Sequence, residues 1–98
     1  METSLRCQVS PGMFSGEVTV RGSAADGAEF SLFVADDFVE SDSPVGGSEP
    51  VDGWLLVDVL DREGDLVLVR LPGQAFENGQ TVTVRDSLIE RRSWRQAV

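Results

Sequence analysis

Trp54-Leu55-Leu56-Val57-Asp58-Val59-Leu60, then Asp61-Arg62-Glu63-Gly64-Asp65, then Leu66-Val67-Leu68-Val69-Arg70-Leu71 is the stretch that decides the fold. Two apolar runs flank a polar connection with a single glycine, which is the pattern of a β-hairpin. Gly64 suits the left-handed position of a loop that carries a bulge. Pairing across that loop sets Leu55 opposite Leu71, Val57 opposite Val69 and Val59 opposite Val67. It also places Leu56 opposite Arg70 and Asp58 opposite Leu68. Both faces are then largely apolar, so this hairpin is expected to be central and covered on both sides.

Outward from the hairpin the hydrophobic period remains two. Ser4–Val9 reads as a first strand, ended by Pro11-Gly12. Glu17-Val18-Thr19-Val20-Arg21 and Glu29–Ala35 alternate around a turn at Ser23–Gly27. Closing that turn pairs Val20 with Phe30 and Val18 with Leu32, which puts all four on one face as parity requires. Downstream, Leu71-Pro72-Gly73 ends a strand, Phe76 is expected to fold back as a plug, and Asn78-Gly79 turns into the last strand, Thr81–Asp86. Ser87 and Glu90 have the spacing of a capping box, so a short helical tail is expected over Leu88–Gln96.

These segments make residues 1–98 one all-β domain. The expectation is a five- to six-stranded, mostly antiparallel barrel or sandwich of SH3-like size, with at most one short C-terminal helical turn. Within it, Val34-Ala35-Asp36-Asp37-Phe38-Val39-Glu40 and Val84-Arg85-Asp86-Ser87-Leu88-Ile89-Glu90 share the pattern Val-x-Asp-x-apolar-apolar-Glu, displaced by 50 positions. Upstream, Val18-Thr19-Val20-Arg21 mirrors Val67-Leu68-Val69-Arg70. Residues 18–40 and 67–90 therefore admit two readings: a pseudo-twofold pair of hairpin units, or chance recurrence in a valine-rich β chain.

Composition narrows the chemistry. Seventeen Asp and Glu stand against eight cations, all of them Arg, for a net charge of −9, and Lys, His and Tyr are absent. Without His there is no Ser-His or Cys-His dyad and no His-ligated metal. Without Lys there is neither Schiff-base chemistry nor a phosphate loop ending in Gly-Lys. The charge opposes binding to nucleic acid or anionic lipid. Met1-Glu2-Thr3-Ser4 lacks the basic start and apolar core of a signal peptide, and no apolar run approaches a membrane span. A cytoplasmic, membrane-free protein is expected. Cys7 is expected to be a half-buried thiol without redox or nucleophilic work.

Several places could carry function. Asp36–Gly53 supplies six carboxylates with no Arg between them, and a mobile acidic loop is expected over 41–53. Several carboxylates on such a segment could gather a hard cation weakly, or meet a partner, but no ligand spacing is recognisable. Asp61, Glu63 and Asp65 imitate the start of a calcium loop, yet Pro72 stands where the bidentate Glu is required, so a solvated hairpin tip is expected. Asp58 inside an apolar strand would be a general-acid candidate if buried, with Arg70 a diagonal step away as the simpler partner.

The C-terminal segment 90–98 is basic and aromatic: Arg91, Arg92, Trp94 and Arg95. With Trp54 beside the acidic loop, these are the candidate binding residues, since Trp and Arg are favoured interface anchors. The same tail could dock on the acidic body of its own or a neighbouring molecule. Together these readings favour a non-catalytic binding module for a protein partner, with self-association included. A small carboxylate- or metal-dependent enzyme and a binder of single-stranded nucleic acid through the Arg and Trp tail stand as alternatives. No catalytic set is recognisable, and no cofactor or bound metal is expected.

Overall fold

The alternating segments form nine strands among residues 2–75 and 79–94, which the computed structural model describes, with backbone alone at Gln74. In chain order they are β1 (Glu2–Pro11), β2 (Glu17–Ser23), β3 (Glu29–Ala35), β4 (Val39–Ser41), β5 (Val51–Leu56), β6 (Asp58–Glu63), β7 (Leu66–Ala75), β8 (Gly79–Arg85) and β9 (Ile89–Arg92). One-turn 3₁₀ segments, Asp36–Phe38 and Asp86–Leu88, lead into β4 and β9. Every strand pairing is antiparallel. One sheet runs β3-β2-β1-β5-β4 with β9 also on β1, and the other runs β6-β7-β8.

The all-β, antiparallel expectation holds. Among the described residues the strands divide into two sheets that do not close into a barrel. The sheets share one core, which draws Leu5, Val20 and Leu32 from the first and Val67, Val69 and Val84 from the second. They also touch at their margins. The Ala25 N–H donates to the Thr83 carbonyl at 2.9 Å, and Gly73 lies against the β3 backbone, where a Cβ would meet the Phe33 carbonyl oxygen at 3.2 Å.

The repeat is real. In the β1–β5 ladder Leu5 faces Leu55, Ser4 faces Leu56 and Arg6 faces Trp54, so the register is symmetric about Leu5 and Leu55 under a shift of 50 residues. The same shift carries the Val39–Leu55 pair of β4 and β5 onto the Ile89–Leu5 pair of β9 and β1. It carries both 3₁₀ turns onto each other, and β3 onto β8. Each unit thus lends its last short strand to the first strand of the other. A single unit cannot bury its apolar face alone, and the exchange completes the core for both.

Four expectations are corrected. The tail is not helical: Ile89–Arg92 is a strand on β1, with only the Asp86–Leu88 turn before it. The capping-box spacing is local, whereas the β1 edge supplies partners for the Ile89–Arg92 backbone that a short tail helix would lack. The 54–71 hairpin turns through Gly64-Asp65 alone, with Gly64 at φ +61°. Arg62 then faces Val67, and beyond a bulge Val59 faces Val69 and Asp58 faces Arg70. Nor is it covered on both faces, because Asp58, Leu60 and residues 61–66 are exposed. The first hairpin is likewise displaced by two residues, pairing Val20 with Leu32 and Val18 with Val34.

Parity survives the displacement of the first hairpin and that of the second beyond its bulge. On the tip side β6 is displaced by three residues and changes face, so that Arg62 stands opposite the buried Val67. The first displacement has a visible cause. Phe30 faces Gly22, and its ring occupies the space a Cβ at Gly22 would need, with Cε2 at 2.8 Å. An aromatic ring covering a strand glycine pins the register. Phe76 and Asn78 lie outside the described residues.

Candidate functional site

The candidate residues of the sequence divide between two environments. Trp54 on β5 faces Arg6 of β1 on one side and Glu40 of β4 on the other. The Arg6 guanidinium carbon is 4.9 Å from the Trp54 ring centroid and that of Arg92, on β9, is 4.7 Å away, both within cation–π range. Each cation also meets carboxylates. Arg6 donates to Asp42 at 2.8 Å and lies 3.8 Å from Asp52, while Arg92 lies 3.9 Å from Glu40 and 3.8 Å from Glu90. The hydrogen bond to Asp42 raises the pKa of Arg6, and the same bond holds the Asp42 carboxyl below its ordinary value. Among the described residues Arg92 Nε is buried without a hydrogen-bond partner, and its guanidinium lies over Trp54 instead.

Trp94 is 6% exposed, and its indole N–H donates to the Ser4 hydroxyl at 2.7 Å over a fully buried Ser4. The basic, aromatic tail is therefore docked on the acidic body of its own chain as far as Trp94. Arg91 is exposed on β9, and Arg95 lies outside the described residues. Among the described tail residues, Trp94 is thus covered and Arg92 engaged, while Arg91 is exposed.

The acidic stretch is partly structured. Asp36 and Asp37 sit in a 3₁₀ turn, Glu40 is on β4 and Asp52 on β5, and Val45 of the intervening segment packs against the core. Among the described residues no three carboxylates or thiolates gather as a metal would require. At the 61–65 tip two of the charges are in ion pairs, Arg62 with Asp86 at 2.6 Å and Asp65 with Arg85 at 3.0 Å, while the Asp61 carboxylate accepts the Arg62 backbone N–H. Asp58 is exposed, with Arg70 opposite in the ladder, so the burial a general acid needs is missing. Cys7 is buried more deeply than expected, and burial pushes its thiol up to about 12.

The pseudo-twofold exposes what sequence reasoning passed over. Where the second unit turns in two residues, the first uses Gly12-Met13-Phe14-Ser15-Gly16. Met13 and Phe14 are each 72% exposed, although the loop is held: Gly12 N–H donates to the Glu17 carbonyl, Met13 N–H to Glu17 Oε1 and Glu17 N–H to the Phe14 carbonyl. Asp36 N–H donates to the Gly16 carbonyl at 2.9 Å, which brings the first 3₁₀ turn and its exposed Phe38 to the same end. The signal was in the chain, as two large apolar residues inside a glycine-bounded turn where polar ones are the rule.

Beside this loop lies an open depression of about 390 Å³. Pro11, Val18, Val39 and Val45 form its apolar side over the buried Val9, and Glu17, Asp36 and Ser41 form its polar side. Charge is distributed unevenly as well. Residues 1–50 carry nine Asp and Glu against two Arg, and residues 51–98 carry eight against six. No described helix is long and apolar enough to cross a membrane. Searches against protein-family models, curated proteins and solved structures find no match for the chain.

Proposed function

We propose that the protein is a non-catalytic binding module for a cationic protein partner. Its contact surface is the end of the first unit: the Met13-Phe14 loop, Phe38 and the acidic rim beside them. The observation that carries this reading is the exposure of Met13 and Phe14, 72% each, on a loop fixed by three hydrogen bonds. Aromatic residues and Met are enriched at interfaces, and a held loop loses little freedom when it binds. The second unit, built on the same plan, has no such projection. Glu17 and the Asp36-Asp37 turn set negative charge beside the apolar tip, which steers a positive partner and opposes nucleic acid. A reducing, cytoplasmic setting suits a chain whose one cysteine is buried and free.

The test is selection of a phage-displayed random peptide library on the immobilised full-length protein. Enriched peptides should combine Arg or Lys with large apolar residues. Their dissociation constants should rise about tenfold or more for M13S/F14S, as expected on losing interface anchors. Circular dichroism should stay unchanged, because both side chains are exposed. Equal enrichment on wild type and variant, or none on either, defeats the proposal.

A further inference from the structure

The two units hold an equivalent carboxylate in two different states of pairing. In the second unit Asp86, at the head of its 3₁₀ turn, receives the Arg62 guanidinium at 2.6 Å. Arg62 stands on β6 opposite Val67. In the first unit the corresponding positions are Asp36, Val18 and Pro11, because Pro11 faces Val18 in the β1–β2 ladder. The two aspartates are anchored alike on their hairpins through the backbone: Asp36 N–H donates to the Gly16 carbonyl at 2.9 Å, and Asp86 N–H to the Asp65 carbonyl at 2.7 Å. Yet proline occupies position 11, and the chain has no Arg between Arg21 and Arg62. What the first unit has beside Asp36 is the depression of about 390 Å³ with its apolar side and with Glu17 on its polar side.

We propose that this depression receives an arginine side chain of the partner, its guanidinium taking beside Asp36 the place that Arg62 takes beside Asp86. The proposal deepens the binding-module reading and rests on it for the identity of the ligand's carrier. Val45 and the exposed edges of Val18 and Val39 match the aliphatic stem of arginine, and Glu17 and Asp36 match its head. The planar fork of a guanidinium suits two carboxylates better than the point charge of an ammonium does. The dyad-related Arg62 gives the geometry an occupied precedent inside the same molecule.

Amide resonances of the full-length protein, titrated with N-acetyl-arginine amide and separately with N-acetyl-citrulline amide, test this directly. The arginine compound should shift Gly16, Val18, Asp36 and Val45 saturably, and the neutral citrulline compound should not. D36N, a change at an exposed side chain, should weaken the response about tenfold. P11R supplies a guanidinium from the chain itself and should abolish the response by filling the site. Equal shifts from both compounds, or wild-type affinity in D36N, overturn the proposal. Peptides that bind through Met13 and Phe14 while arginine amide produces no response sink the pocket and leave the module. A response to arginine amide where no peptide is selected supports the pocket and sinks the module.

Discussion

Leu5 and Leu55 face each other in the β1–β5 ladder, both buried, at the one position the pseudo-twofold maps onto itself. The neighbouring pairs Ser4–Leu56 and Arg6–Trp54 are carried onto each other, whereas this pair is carried onto itself. Around it each unit places its terminal strand on the other, Val39 against Leu55 and Ile89 against Leu5. The centre of the molecule is therefore an interface between two halves of one chain, joined through residues 42–50.

Truncation on the axis should strike both units at once. Leu55→Ala is expected to cost about 2–5 kcal/mol, the range for deleting a fully buried leucine. Leu5→Ala should cost a similar amount. Because directly opposed side chains share their cavity, the double variant should depart from additivity by about 0.5 kcal/mol or more. Urea unfolding of the three variants measures the cycle. Additive losses would mean that the two leucines do not act as one contact.

Gly22 and Phe30 provide a test of register. A methyl at Gly22 would meet the Phe30 ring, so Gly22→Ala should destabilise by about 1–3 kcal/mol through overpacking. On a Phe30→Leu background, where the ring is gone, the added cost of Gly22→Ala should be smaller. An undiminished cost in the double variant would assign the effect to the backbone and not to the ring.

These two contacts also mark where sequence reading stops. Period-two alternation located the main strands and most of the buried set, because facing inward or outward is written locally in each strand. Register is not written there: displacing Val20 from Phe30 to Leu32 keeps every side chain on its face. The fit of Phe30 over Gly22, together with the hydrogen-bonded turn at 24–28, decides. The tail was misread for a different reason. Ser87 and Glu90 signal a helix cap over four residues, whereas the strand that forms answers to β1, more than 80 positions away. The better signal was the recurrence of Val-x-Asp-x-apolar-apolar-Glu, since whatever followed Asp36 had to follow Asp86. Arg92 finds Glu40 and Glu90, and the indole N–H of Trp94 finds Ser4. Composition alone could not say that those partners lie in the same chain.

Cys7 occupies the position that Val57 holds in the other unit, and both face the core. Burial raises the folded-state thiol to about 12 from an ordinary value of 9.0. A raised thiol pKa favours the protonated folded state, so this contribution is complete below the unfolded value and is lost as pH climbs toward 12. Stability should therefore decline between about pH 9 and pH 12, and the decline should be shallower in Cys7→Val. The native thiol should also react slowly with a disulfide reagent at pH 8 and rapidly once urea unfolds the chain. Fast reaction without denaturant would contradict its burial.

Trp94 should behave as core despite its place near the chain end. It is almost fully covered, and its indole N–H has the Ser4 hydroxyl as acceptor. Trp94→Ala is expected to cost about 3–5 kcal/mol, as for a buried aromatic. Ser4→Ala leaves the indole donor without that acceptor and should cost about 1–3 kcal/mol. In the Trp94→Ala background, Ser4→Ala should cost less, because the shared hydrogen bond is already gone. Denaturation followed by circular dichroism separates the cases without relying on Trp94 as the reporter. If Trp94→Ala keeps the wild-type midpoint, the tail is not docked, and Arg92 and Trp94 return to the surface as contacts for a partner.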